Sequence, residues 1–417
     1  MTQSVTLPDL TRAFARIGVL SFGGPAAQIA LMHRELVEER RWVEEEDYLS
    51  ALSFCMLLPG PEAMQLATWI GWRLHGTLGG LIAGLLFVIP GALVVLGLSM
   101  LYASFGQVPV IAAIFTGVQA AVVAVVIEAL LRVSKRALKA RAHWVTAALA
   151  FLALFLFALP FPAVILAAGL YGYATATGKA VPHDLPHPWA ESLRAVLIWG
   201  GIWLGPLAAL VLLQPGLYAD IGLFFSKLAV VTFGGAYAVL AWMSQAVVES
   251  NHWLTLTQMM DGLGLAETTP GPLILVTEFV AYVAAYQRDG WIGGSFAALI
   301  TLWMTFAPCF LWIFAGAPWI ARLTAAPRLS GGLSFITAAV VGVIGNLSVW
   351  FAAHVFFARM GRIDAWGLHT ILPDPGSVRV IPAALALAAA YLLLRRHWSL
   401  PLVLALAAFI SAGLAFV

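Results

Sequence analysis

Phe22-Gly23-Gly24-Pro25 and Pro59-Gly60-Pro61 interrupt long apolar runs, and near-copies return as Phe233-Gly234-Gly235 and Pro270-Gly271-Pro272. Proline removes an amide donor and clashes with the preceding helical turn. Glycine costs about 1 kcal/mol relative to alanine inside a helix. At membrane depth such breaks survive only where the backbone is buried in protein or lines a wet cavity. A broken helix also presents amide N–H groups at the start of its second half, and these, with the helix dipole, attract anions. Gly23, Gly24, Pro25, Pro59, Gly60, Pro61, Gly234, Gly235, Pro270, Gly271 and Pro272 are therefore the expected backbone frame of an anion site.

The side chains around the breaks suit the same chemistry. Arg16 precedes Phe22 by six residues and Lys227 precedes Phe233 by six, so two cations stand at matching places and would neutralise a dianion. Gln65, Thr268 and Thr269, with Gln28 and Thr68 nearby, can donate hydrogen bonds to oxyanion oxygens. Glu62 and Glu267 are the expected proton-coupling carboxyls, and Glu278 is a third acid near the breaks. Carboxylates in membrane helices are costly and mark function by default. Glu128 and its counterpart Asn346 lie further off, Glu128 beside a basic loop. The two cysteines, Cys55 and Cys309, sit in apolar surroundings and read as small buried hydrophobes. No CxxC or His/Cys cluster offers a metal site, and no cofactor is implied. An intramembrane enzyme would need a catalytic pair. There is no HExxH, and Asp261 has no evident aspartate partner, so the chain reads as no enzyme.

The breaks need membrane helices to position them. The 417 residues are 62% hydrophobic and 10% charged, against about 25% charged in a soluble domain. Apolar runs such as 80–101 and 108–131 are long enough to cross a hydrocarbon core of about 30 Å as helices, and too continuous for barrel strands. The formal net charge of +2 gives no reason to expect a nucleic-acid partner. No cleaved signal peptide is evident at the start. Expected helices are 8–35, 48–74, 77–103 and 108–133, then 144–159, 162–177 and 194–213, then 219–248, 256–286, 291–315 and 330–358, and last 380–394 and 399–416. Several are short, so 10 to 13 transmembrane segments are expected, some broken or re-entrant.

One set of motifs is written twice. Phe22 recurs as Phe233, an offset of 211 (233 − 22); Trp42 recurs as Trp253 and Pro59 as Pro270 at the same offset. Ala120-Ala121-Val122-Val123 recurs at 338–341, an offset of 218 (338 − 120). The expected organisation is a first repeat over 1–140, hydrophobic linker segments over 141–218 with a polar loop at 178–193, a second repeat over 219–358, and a hydrophobic tail over 359–417. Arg132, Lys135, Arg136, Lys139 and Arg141 make the loop after the fourth helix cytoplasmic by the positive-inside rule. The loop before the same helix of the second copy carries Arg322 and Arg328 and reads as cytoplasmic too. The copies would then have inverted topology, an architecture that places the site near the midplane. The charged stretch 34–47 reads as a solvated connector, and parity does not decide whether the chain turns back at Gly23-Gly24-Pro25 or crosses fully.

The stretches Ser21-Phe22-Gly23-Gly24-Pro25-Ala26-Ala27-Gln28-Ile29-Ala30, Leu57-Leu58-Pro59-Gly60-Pro61-Glu62 and 262–276 closely resemble the chromate transporter family in its long, two-domain form. The second copy departs from it at Ala236, which stands where the first has Pro25. The resemblance implies export of chromate, a tetrahedral oxyanion, across a bacterial inner membrane, driven by membrane potential or a proton gradient. Sulfate, a near-isosteric dianion, would compete or be the physiological substrate, and a proton-coupled sulfate uptake permease is the alternative reading. Partners would be the anion and membrane lipid, with a homodimer as a further expectation.

Overall fold

The computed structural model describes residues 5–22, 24–106, 108–177, 189–233, 236–324, 326–365 and 367–414. It is an all-α membrane protein, with five helices among the described residues long and apolar enough to cross a bilayer. The chain divides into two compact units.

Unit one comprises Met1–Ala103, Gly178–Ala236 and Thr269–Pro327. It begins with α1 (Leu7–Leu20), α2 (Gly24–His33) and a π-helical turn over Arg34–Glu39. Thr6 caps α1, its side chain accepting from the Asp9 amide. Arg16 of α1 pairs with Glu35 at 3.5 Å. A straight helix would separate these residues by about 28 Å at 1.5 Å per residue, so the chain turns back at the first break. α3 (Glu45–Leu57) follows, then α4 (Glu62–Phe105). α4 is a hairpin rather than one rod. His75 and Gly76 leave helical geometry, Gly76 with φ +59°, and a Cβ on Gly71 would lie 2.2 Å from the Gly79 carbonyl oxygen. Small residues thus let the arms touch. α8 (Trp189–Leu213) and α9 (Leu217–Val231) pack along α12 (Val276–Gly316), which folds back at Gly290 with φ +65°. A 3-10 turn over Leu273–Leu275 leads into α12, and the short α13 (Ile320–Thr324) closes the unit.

Unit two comprises Ser104–Thr177, Tyr237–Thr268 and Arg328–Val417. Its long helices are α5 (Pro109–Ala137) and α14 (Pro327–Phe356). Two short hairpins serve them in exchange. α6 (Arg141–Phe155) and α7 (Phe161–Thr175) follow α5 in sequence but pack on α14, where a Cβ at Gly342 would lie 2.2 Å from the Ala147 carbonyl oxygen. α15 (Val380–Leu394) and α16 (Leu400–Leu414) follow α14 but pack on α5, where Gly117 meets the Ala407 backbone. α10 (Ala236–Gln245), a π-helical turn over Ala246–Ser250 and α11 (Leu256–Thr268) supply the rest.

The repeat holds down to single residues. The turn after each π segment is the same: the Trp42 amide donates to Leu36 O at 2.8 Å and the Trp253 amide to Val247 O at 2.9 Å. Arg41 and His252, 211 apart (252 − 41), both take positive φ, +53° and +52°. Two features differ from the sequence reading. The stretch 34–47 is not wholly a solvated connector, because Glu35 is buried inside the π turn. The segment after α14 holds an antiparallel hairpin, β1 (Met360–Ala365) and β2 (Leu368–Pro373), which apolar periodicity does not announce.

Candidate functional site

Each first break ends its helix in the same way. The Ser21 hydroxyl donates to Ile17 O at 2.7 Å and the Thr232 hydroxyl to Leu228 O at 2.5 Å. The Phe22 amide then bonds Leu20 O and the Phe233 amide bonds Val231 O, at 2.9 and 3.0 Å. These short turns free the Ser21 and Thr232 carbonyls from helix pairing, and each finds a donor in the other copy. The Gly271 amide donates to Ser21 O at 2.8 Å, and the Gly60 amide donates to Thr232 O at 2.8 Å. Ser21 and Thr232 differ by 211 (232 − 21), as do Gly60 and Gly271 (271 − 60). The Pro-Gly-Pro break of each copy is thus bonded to the first break of the other.

The packing repeats that exchange. Gly60 and Gly271 stand at φ +121° and +91°, where side chains are strained. A Cβ on Gly60 would lie 3.0 Å from Cys309 Sγ, and one on Gly271 would lie 3.2 Å from Gly91 Cα. Gly91 and Cys309 are themselves related by 218 (309 − 91), each following an intrahelical proline, Pro90 or Pro308. Cys309 is accordingly buried, as the sequence suggests, but its place is against a break.

Two glutamines brace the arrangement. Gln28 is buried, and its Nε2 donates to Gly271 O at 2.7 Å and to Ser21 O at 3.3 Å, bridging the two copies. Gln65 is buried, and its Nε2 donates to Pro59 O at 2.7 Å. The Oε1 atoms of both are buried with no hydrogen-bond partner among the described residues. Neither glutamine has a counterpart: Val239 and Val276 occupy the equivalent positions. The Gly60 and Gly271 amides are thus committed to carbonyls, while the first amides of α2 and α4 have no intrahelical acceptor.

The remaining candidates are dispersed. Gly24 opens α2 at φ +78°, whereas Gly23, Gly234 and Gly235 lie outside the described residues. Pro25 is in the first turn of α2, and Glu62 opens α4, half-buried. Pro59, Pro61, Pro270 and Pro272 flank the two positive-φ glycines, and Thr269 is buried next to them. Arg16 is held by Glu35, which also pairs with Arg40 at 3.5 Å. Lys227 is exposed and forms no ion pair among the described residues. Thr268 returns its hydroxyl to Leu265 O at 2.8 Å and belongs, with Glu267, to unit two. The buried Glu267 accepts from the Tyr237 hydroxyl at 2.8 Å.

Two partnerships and the isolation of one acid escape sequence reasoning. Glu35 is 1% exposed between two arginines, hidden in the sequence among other charges. Asp261 accepts from Gln119 Nε2 at 2.7 Å, a contact across 142 residues. Glu278, in the first turn of α12, is 1% exposed and has no hydrogen bond or ion pair among the described residues.

The chromate transporter family matches residues 8–173 and 219–412, reaching from the broken helices into α7 and α16. The probable chromate transport protein of Synechococcus elongatus is 29% identical over 392 residues, 91% of this chain and 95% of that one. The chromate transport protein of Pseudomonas aeruginosa is 33% identical over 349 residues, 83% of this chain and 81% of that one. That of Cupriavidus metallidurans is 30% identical over 354 residues, 81% of each. No solved structure matches the chain. On a match that spans both copies of the broken-helix motif, this chain belongs to the chromate transporter family.

Proposed function

We propose that the protein exports chromate from the cytoplasm across a bacterial inner membrane, binding the dianion at the broken helices of unit one. The observation that carries this reading is the reciprocal pair of bonds, Gly60 to Thr232 and Gly271 to Ser21. A lone kink aids packing. Two breaks in each copy, cross-bonded at equivalent positions, instead build a rigid irregular frame, which membrane proteins retain where a polar solute is handled. First-turn amides and the dipoles of α2 and α4 supply fixed positive potential without mobile side chains. Gln28 and Gln65 spend their Nε2 donors on the carbonyls of Ser21, Gly271 and Pro59, so their part is to hold the frame rather than to meet the anion.

The energetics favour export. One charge across 100 mV is worth about 2.3 kcal/mol, so a dianion leaving a negative-inside cell gains about 4.6 kcal/mol. That would hold internal chromate roughly three decades below external chromate. Inverted copies would let the same frame open to either side by rocking of one repeat against the other. Buried carboxyls at Glu267 and Glu278, with Glu62 beside the break, favour a second component, proton coupling. If coupling dominates, proton-driven sulfate uptake becomes the activity.

Everted vesicles, with potential and pH gradient imposed separately, distinguish these readings. Chromate accumulation under an inside-positive potential supports export. Proton-dependent sulfate flux toward the cytoplasmic face, with no chromate movement, replaces it with the permease.

A further inference from the structure

Unit two holds a polar cavity of about 380 Å³ that no break residue lines. The β1–β2 hairpin forms one wall, fastened by the His369 amide, which donates to Leu156 O at 2.7 Å at the end of α6. Part of the lining is aromatic: Phe161 stacks on Trp242 at 5.8 Å, and Trp350 lines the same cavity. Charges of both signs face this space unspent. Glu249 accepts from Trp350 Nε1 at 3.0 Å through one oxygen, and its other oxygen has no partner among the described residues. Arg362 lines the same cavity and makes no ion pair or hydrogen bond among the described residues. Asn346 is 3% exposed, lines the cavity, and has no side-chain hydrogen bond among the described residues.

A second cavity of about 780 Å³ runs between α6 and α7. Its lining is almost wholly aliphatic, with Val145, Leu149 and Val164 typical of it. Leu159 and Pro160, in the turn joining the two helices, line both cavities. A charged chamber with a partly aromatic lining therefore adjoins an apolar groove.

We propose that the two cavities form one binding site for a zwitterionic phospholipid, with the headgroup in the polar chamber and an acyl chain in the groove. Arg362 meets the phosphate, since a guanidinium matches its oxygens. Glu249 and the ring of Trp350, which is bonded to it, receive the ammonium by charge and cation–π attraction. A phosphatidylglycerol headgroup has no ammonium for Glu249 and would set its negative charge against Glu249 and Asp364. The groove adds burial of an acyl chain, which a chain-free headgroup forgoes.

The test titrates delipidated full-length protein in detergent with phosphatidylethanolamine or phosphatidylglycerol of identical chains, counting bound lipid by native mass spectrometry. Phosphatidylethanolamine is expected to half-saturate at about tenfold lower concentration. Glu249→Gln and Arg362→Gln should each remove most of that preference. Ala163→Trp, which fills the groove, should weaken both lipids alike. Equal binding of the two lipids by the wild-type protein would overturn the proposal, as would a preference unchanged in both headgroup variants. Competition by glycerophosphoethanolamine as strong as that of intact lipid would overturn the part given to the groove.

Discussion

The amide of Gly271 donates to the carbonyl oxygen of Ser21 at 2.8 Å, across 250 residues of chain (271 − 21). Its equivalent, Gly60 to Thr232, has the same length. A carbonyl released by one broken helix is satisfied by an amide released by another. Neither break is stable at membrane depth alone, and each copy needs the other to close its hydrogen-bond inventory.

Glycine substitutions should therefore rank by surroundings rather than by position in a motif. Gly91→Leu should abolish transport, because a Cβ there already falls 2.3 Å from Pro270 O. Gly60→Leu should do the same, against Gln65 and Cys309. Gly24→Ala meets no atom within 4 Å and bears only the strain of φ +78°, about 1 kcal/mol, so it should retain most activity. Flux normalised to membrane-inserted protein tests the order; a null Gly24→Ala beside an active Gly91→Leu would contradict it.

Gln28→Leu keeps the bulk but deletes the donor to Gly271 O and Ser21 O. An unsatisfied buried polar group costs about 1–3 kcal/mol. The expected outcome is normal insertion, a melting temperature lowered by several degrees and transport reduced at least tenfold. Wild-type flux in this variant would remove Gln28 from the frame.

Glu35→Ala leaves Arg16 and Arg40 without their shared carboxylate. Removing one partner of a buried pair costs about 3–5 kcal/mol, but Arg16 is 58% exposed, and solvent screening reduces the expected loss to about 2 kcal/mol. Thermal unfolding in detergent measures it. Stability unchanged in Glu35→Ala would mean that both ion pairs are incidental.

Much of this arrangement was legible in the sequence. The 211 offset, the positions of all four breaks and the near-complete set of helices follow from Gly, Pro and apolar run length, because those residues act locally. The pairing of Gly60 with Thr232 does not follow, since nothing local tells a free amide which free carbonyl it will meet. Nor does the exchange of hairpins, in which α6 and α7 leave α5 to pack on α14. Glu35 was masked by its charged neighbours, and periodicity cannot distinguish a buried acid from a solvated one in a six-residue π turn. The β1–β2 hairpin has a mixed burial pattern without clean alternation, so a period-2 signal was missing.

Glu278→Gln isolates proton coupling. If Glu278 trades a proton against the anion, the variant should keep potential-driven chromate flux and lose its dependence on an imposed pH gradient. An unaltered response to the pH gradient would exclude Glu278 and leave Glu62 and Glu267 as the groups to substitute next.

The most direct test of the central claim is potential-driven chromate uptake by the purified protein in liposomes, beside Gly271→Leu reconstituted to equal density. The account predicts that an inside-positive potassium diffusion potential drives chromate accumulation by the wild-type protein and none by the variant. No accumulation by the wild-type protein, or equal accumulation by both, would contradict it.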